Sequence, residues 1–371
     1  MRLKKGTFSD FAQRVKGTGK KVIVYGAGVI GQTVAPYWLR EFGLENDVLC
    51  YVDADPNKQG KTAPLGEREV SIESLSAFDR LEDSPIVLVT VSAFEPVAAA
   101  LEKISALDAA ECYFLPVMLV ERAHSLKSEG VVKTSEKQLI PKTIHYCWFS
   151  GNPIPDTLKR CMETWEKFCP DYEIVRWDES NYDISWSPYM VQAYERKKWG
   201  FVSDVARLDI LYRYGGIYLD TDVELLKSLD ELLYQPAFCG IEKWCVVNSG
   251  GCSGTQPGNS LIKAMLDFRQ DIFLECEDGS LNFLSSGYYE TMSLLKAGLR
   301  ADGLTQHVNN QIIIYSSDFF HPFDYMSGET QITENTFSIH HFSGSWLGEN
   351  AALERQHTRN RYQNFLNRLE E

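Results

Sequence analysis

A chain of 371 residues is long enough for two domains, and 44% hydrophobic with 24% charged residues is the balance of a folded globular protein, not of a disordered or fibrous one. Lys plus Arg number 37 against 51 Asp plus Glu, a formal charge of −14 that repels a phosphate backbone and disfavours general nucleic-acid binding. No run approaches the roughly 20 apolar residues that span a bilayer.

The amino terminus, Met1-Arg-Leu-Lys-Lys5, is basic but lacks the apolar core of a secretory signal, so a cytoplasmic protein is expected. The nine cysteines are scattered without a C-x-x-C, which argues against both a disulfide framework and a structural zinc site. Cys239, Cys245 and Cys252 form a loose cluster that reads as buried or surface thiols before metal ligands.

Residues 1–125 read as a small Rossmann-like domain. Apolar β-branched runs at 21–25, 48–52 and 86–90 alternate with helical patterns, as a parallel sheet with crossover helices requires. Gly26-Ala-Gly28-Val-Ile-Gly31 follows the first run and opens a helix, and Asp53 ends the next, the context of a dinucleotide-binding loop. The same glycines also serve close helix–strand packing without any ligand. Val52-Asp-Ala-Asp-Pro56 with Gly60 resembles small Rossmann-like domains attached to bacterial sugar-modifying enzymes, not all of which use NAD. Catalytic NAD is therefore not expected, and a nucleotide site or a structural domain remain as alternatives.

Residues 126–139 turn to Ser, Lys, Glu and Gly with little periodicity and read as a linker. The second domain, 140–348, opens with the apolar strand Thr143-Ile-His-Tyr-Cys-Trp-Phe149. Further on, Gly200-Phe-Val-Ser203-Asp204-Val-Ala-Arg207 begins a helix that Gly215-Gly216 ends. Asp204 and Arg207, three apart, are neighbours on one helix face, where a surface ion pair of little energetic worth is the plainer reading. Next comes Ile217-Tyr218-Leu-Asp220-Thr-Asp222, an apolar strand ending in two carboxylates. Residues i and i+2 of an extended chain project to one side, so both can address one hard cation, which in turn can neutralise a leaving diphosphate.

Asp204-x-x-Arg207 followed by Gly215-Gly216-Ile-Tyr218-x-Asp220-x-Asp222 resembles the sugar-binding DXD region of glycosyltransferase family 32 and, more distantly, the glucosyltransferase domains of large clostridial toxins. Ile140-Pro-Lys-Thr-Ile-His145-Tyr-Cys-Trp148 looks like the opening strand of that domain, and His340-His341-Phe-Ser-Gly-Ser345-Trp346 like its closing motif. The likeness covers about residues 139–348 and implies an α/β fold of GT-A type with retention of anomeric configuration. By resemblance, Asp220 and Asp222 hold the donor diphosphate through Mn²⁺ or Mg²⁺, and Asp204 and Arg207 hold sugar hydroxyls. Trp148 stacks on the base, Ser203 and Tyr218 lie beside the nucleotide, and Ser345 with Trp346 closes over the diphosphate. Asn248 lies near the reacting sugar. One of His340 and His341 faces the metal, since neighbours in a strand point to opposite sides, and His341 is preferred. Ser286-Gly287-Tyr288 departs from the family's acceptor-side Gly-Pro. Glu242 and Asp324 are acidic candidates whose commoner role is a solvated surface.

The closing segment, 349–371, sets Leu353, Tyr362, Phe365, Leu366 and Leu369 among arginines, a helix that either touches a membrane or packs on its own domain. The expected function is a transferase using a nucleotide-sugar donor, UDP before GDP, and a saccharide or lipid-linked acceptor in bacterial surface or capsular polysaccharide synthesis, with peripheral contact at the inner membrane face. A sugar-nucleotide oxidoreductase or epimerase using NAD, and a non-catalytic carbohydrate-binding protein, are the competing classes.

Overall fold

The computed structural model describes residues 1–276, 279–282, 284–343 and 351–370, with the backbone alone for 351–358. The chain divides into two compact units. The first is Met1–Leu126 with Trp244–Val246 and Glu354–Glu371; the second is Lys127–Lys243 with Val247–Leu353.

The first unit holds a seven-stranded sheet in the order Arg2–Leu3, Glu111–Phe114, Ile86–Val89, Val22–Tyr25, Val48–Val52, Arg68–Glu73, Thr62–Leu65. Every pair is parallel except the last. The strand order reverses at Val22–Tyr25, the doubly wound arrangement of an open α/β sheet. Val22–Tyr25 and Ile86–Val89 are apolar and buried at every position because both faces of a parallel sheet are covered.

The terminal helix, Ala351–Leu366, ends inside this first unit. Tyr362 and Phe365 are buried, with Phe365 stacked 5.4 Å from Phe94 and edge-on 4.6 Å from Phe114. Arg368 pairs with Glu102 at 2.5 Å. The Glu370 N–H then donates to the Leu3 carbonyl at 2.7 Å, and its own carbonyl accepts from Lys5. The aromatic stripe therefore faces protein, and the domain it packs on is the distant first one, not the neighbouring one that sequence adjacency suggests. Among the described residues no helix is long and apolar enough to cross a membrane.

The second unit is built on an eight-stranded mixed sheet in the order Gln306–Val308, Ile312–Tyr315, Ala237–Ile241, Ser253–Thr255, Gly216–Tyr218, Thr143–Cys147, Glu173–Trp177, with Val247–Asn248 paired to Ala237–Ile241. A separate antiparallel pair joins Val223–Leu225 to Ser338–His340. Both units are α/β, and the second is consistent with a GT-A-type domain. Its core gathers Ile144, Trp165, Ile217, Leu219, Phe238 and Tyr315. Trp165, on the helix Asp156–Phe168, donates its indole N–H to the Val223 carbonyl at 2.7 Å. Thr164 accepts from the Leu225 N–H at 2.8 Å. These two bonds fasten the strand that follows the paired aspartates. All nine cysteines are free thiols.

Removing a buried phenylalanine leaves a cavity that costs about 3–5 kcal/mol. Phe365→Ala is accordingly expected to lower the melting temperature and to raise hydrogen exchange in Ile86–Val89 and Glu111–Phe114, while exchange in Gly216–Tyr218 stays unchanged. Unaltered exchange in all three strands would show that the helix contributes nothing to the first unit.

Candidate active site

The helix Trp199–Tyr214 ends where Gly215 and Gly216 take φ of 67° and 87°, a left-handed region that side chains disfavour. Space demands glycine there too. A Cβ on Gly216 would lie 2.9 Å from His145 Nε2 and 2.8 Å from the Thr143 carbonyl. His145 is buried between two partners: its Nδ1 accepts from Trp177 Nε1–H at 3.2 Å, so its Nε2–H is the group that donates to the Gly215 carbonyl at 3.0 Å. Burial pushes the imidazole down to about 4.

Strand Gly216–Tyr218 leads to Asp220, whose N–H donates to the Gly250 carbonyl at 2.8 Å. The two aspartates converge through a turn, closed by Val223 N–H to the Asp220 carbonyl at 3.0 Å, and not along the extended strand expected from their spacing. Asp220 is tied on both oxygens: Tyr218 donates to Oδ1 at 3.1 Å and Arg207 Nη1 lies 3.4 Å from Oδ2. Arg207 is buried and also pairs with Asp204. Asp204 and Arg207 are thus no surface ion pair; the arginine bridges the helix to the aspartate turn.

Asp222 is held from the other side. His341 N–H donates to its carbonyl at 3.1 Å, Phe342 turns the chain with a left-handed φ of 47°, and Ser343 N–H and hydroxyl both donate to Oδ2 at 2.6 Å. Phe342 stacks on His340 with ring centroids 4.1 Å apart, which supports a conformation that bulky residues rarely adopt. Burial disfavours the charged Asp222, but His340 and Ser343 outweigh it and hold the carboxyl well below its ordinary range. Burial likewise works against a charged His340, yet Asp222 raises that imidazole above its usual value.

Ligand atoms of Asp220, Asp222 and His340 lie within 4.8 Å of one another, a grouping able to hold a metal ion. The preference for His341 is corrected here. Val223 pairs with His340 in the strand register, which sends the His340 ring towards Asp222 at 3.4 Å and the His341 ring outward to Glu224 at 2.9 Å. A third histidine went unnoticed in the sequence. His321 is buried with its ring 5.6 Å from that of His340, and burial keeps it well below its ordinary pKa, hence neutral.

The segment Asn248–Ser249–Gly250–Gly251 lines the cluster, and only its asparagine stood out in the sequence. A Cβ on Gly250 would fall 2.1 Å from Asp220 Oδ2 and 2.2 Å from Arg207 Nη1; one on Gly251 would fall 2.0 Å from His321 Cε1. Asn248 Oδ1 accepts from both glycine N–H groups, at 2.8 and 3.3 Å. Ser249 gives its N–H and hydroxyl to the fully buried Glu290 at 2.9 and 2.7 Å. Two adjacent glycines after a short strand were the available signal.

The remaining candidates are more loosely connected. Trp148 is half-buried against the core and donates its indole N–H to the Asn152 carbonyl at 2.7 Å. Ser203 bonds back to the Trp199 carbonyl at 3.3 Å within its helix. Ser345 and Trp346 lie outside the described residues. Asp324 is not solvated: it is buried and accepts from Met326 N–H and the Ser327 hydroxyl. Glu242 is partly buried and accepts a hydrogen bond from Asn248 Nδ2 at 2.7 Å, and desolvation raises its carboxyl above the ordinary value.

In the first unit Asp53 spends its carboxylate on its own loop, accepting from Ala27 N–H at 2.8 Å, Asp55 N–H at 2.9 Å and Lys58 Nζ at 3.0 Å. A Cβ on Gly31 would meet the Gly26 carbonyl at 2.0 Å, so that glycine is needed for packing, whereas Gly28 has open space around it.

Residues 155–239, which carry Asp204, Arg207, Asp220 and Asp222, match the family described as "Glycosyltransferase sugar-binding region containing DXD motif". Residues 155–239 thus carry a region similar to the DXD sugar-binding region of glycosyltransferases. Among similar proteins is "Inositol phosphoceramide mannosyltransferase 3" of Schizosaccharomyces pombe, 37% identical over 111 residues, 29% of this chain and 31% of that one. "Mannosyl phosphorylinositol ceramide synthase SUR1" of Saccharomyces cerevisiae is 35% identical over 105 residues, 27% of each chain. The match therefore spans under a third of these relatives' length. A solved structure titled "PaToxG Glycosyltransferase" overlaps 49% of this chain and 74% of its own, at 19% identity and a TM-score of 0.35.

Two outcomes follow. Gly250→Ala should displace Asp220 and Arg207 and lower Mn²⁺ affinity at least about tenfold in a folded protein, as changes around metal ligands commonly do; calorimetric titration gives the value, and equal affinity would remove the glycine from the site. His145 has a folded pKa below its unfolded value near 6.5, so the unfolded chain binds more protons between pH 6.5 and about 4. Stability should fall by ~3 kcal/mol as pH drops through that window. Urea denaturation of His145→Gln, compared with the parent at pH 7 and pH 4.5, should show that part of the slope gone.

Proposed function

We propose that this chain is a metal-dependent glycosyltransferase moving a hexosyl group from a nucleoside diphosphate sugar to a hydroxyl of a saccharide or lipid-linked saccharide. The observation that carries the reading is the meeting of Asp220, Asp222 and His340 within 4.8 Å beside the buried Arg207–Asp204 pair.

This donor set fits a divalent cation of the Mg²⁺ or Mn²⁺ kind, for which carboxylate oxygens with an imidazole are suitable ligands. Asp220 retains 28% side-chain exposure while Asp222 is locked by Ser343, so one ligand is fixed and the other opens towards solvent. When bound, such an ion supplies Lewis-acid stabilisation of the departing diphosphate. The protein's own groups do the rest. Asp204 offers an acceptor and Arg207 a donor to sugar hydroxyls, and the rigid Asn248–Gly251 segment keeps both in register with the aspartates. Catalysis then rests on holding an acceptor hydroxyl against the anomeric carbon in a preorganised charged site. The names of the yeast relatives make a mannosyl donor the first to try beside UDP-sugars.

Specific binding raises apparent stability by mass action. A thermal-shift panel of UDP- and GDP-sugars, each with Mn²⁺ and with EDTA, should therefore single out one nucleotide that stabilises only with metal. In Asp222→Asn that metal-dependent shift should vanish while the circular dichroism spectrum is kept. Donor binding that survives EDTA and the substitution alike would exclude a metal-dependent site.

A further inference from the structure

The segment Asn248–Gly251 approaches Asp220 more closely than any side chain would allow, so what holds it there controls the cluster. Glu290 fixes Ser249 from one side. On the other side stands Glu242, which has no role in the chemistry described so far.

Glu242 follows the strand Ala237–Ile241, and Asn248 ends the strand Val247–Asn248 that runs antiparallel to it, with Ile241 opposite Val247 and Gly240 opposite Asn248. That register makes Glu242 and Asn248 diagonal neighbours on one face of the pair. Glu242 Oε1 accepts from Asn248 Nδ2 at 2.7 Å. An asparagine side chain has a donor end and an acceptor end, and a carboxylate can only satisfy the donor end. Glu242 thereby turns Asn248 Oδ1 towards the Gly250 and Gly251 N–H groups. With the amide reversed, two N–H donors would face an NH₂ group and the segment would lose both bonds.

Each glycine reports to a different side of the cluster. Gly250 offers its carbonyl to the Asp220 N–H and touches Asp220 and Arg207, while Gly251 lies under His321, whose ring adjoins His340. We propose that Glu242 is a positioning residue for the transferase site: by orienting the Asn248 amide it sets the segment against which Asp220, Arg207 and the His321–His340 pair are placed. This inference rests on the metal-dependent reading above.

The role needs an acceptor atom at position 242, not a negative charge, and that distinction is testable. Glu242→Gln keeps an oxygen able to accept the same bond; Glu242→Met keeps the length and removes it. Mn²⁺ affinity by titration calorimetry, and kcat and KM for the donor found active with the parent, would be measured on both. The Gln variant should match the parent in all three, whereas the Met variant should lose about 10–100-fold in Mn²⁺ affinity, the usual cost of removing a partner of a metal ligand's support. Its kcat should fall more than its donor KM rises. If the Met variant does not fold, Asn248→Ala removes the same amide from the other end and should give the same loss.

A Gln variant as damaged as the Met variant would overturn the proposal and move Glu242 to a charge-dependent role at the reacting centre. A Met variant equal to the parent would overturn it as well. If the parent itself binds no Mn²⁺, the metal-dependent reading fails first, and the positioning role with it.

Discussion

Everything at the carboxylate cluster depends on a backbone approaching side chains at a distance that leaves no room for a β-carbon. At Gly250 that approach brings main chain directly against the Asp220 carboxylate and the Arg207 guanidinium. Gly216 does the same for His145, and Gly251 for His321. Two main-chain segments, at Gly216 and at Gly250–Gly251, each without a side chain, let one arginine, one aspartate and two histidines occupy a space that ordinary packing would fill with methyl groups. The geometry is then stiff because it is set by backbone, whose positions the sheet determines, and not by long flexible side chains.

The electrostatics follow from this crowding. Buried charges are costly unless paired and hydrogen-bonded. Arg207 meets that condition with Asp204 and Asp220, and Asp222 with His340 and two donors from Ser343. Arg269, also buried, lies between the faces of Tyr189 and Tyr289 at 5.0 and 4.7 Å. Such a network gives little net stability, but it admits few alternative arrangements. Near-balance between carboxylates and cations also means that an added divalent ion would change the local charge sharply, which suits the diphosphate donor proposed above.

What the sequence disclosed and what it withheld divide along range. The pair Asp204 and Arg207 and the pair Asp220 and Asp222 were legible because each is local, within one helix or one turn, and the helix stop at Gly215–Gly216 marks their spacing. Which of His340 and His341 faces inward was not, because alternation only says that they differ; the choice belongs to the pairing of Val223 with His340, over a hundred residues apart in the chain. Glu290 was illegible for the same reason, and Glu242, though named as an acidic candidate, gave no sign of its partner Asn248. A buried carboxylate looks like a surface one until the N–H groups that satisfy it are known. The α/β class was plain in both halves, since apolar strand runs punctuated by glycine survive any uncertainty about register. For the terminal helix, periodicity announced a buried face without saying whose surface would cover it.

That last helix has a consequence for the order of events during synthesis. Its Tyr362, Phe365 and Glu370 belong to the unit whose sheet begins at Arg2, and the entire second unit is encoded between them. A ribosome therefore exposes most of the first sheet about 250 codons before the segment that covers Phe94 and Phe114 emerges. Until then those rings form an uncovered apolar patch on a nascent chain, the kind of surface that chaperones hold. The second unit, by contrast, is complete in sequence before the last segment of the first has emerged.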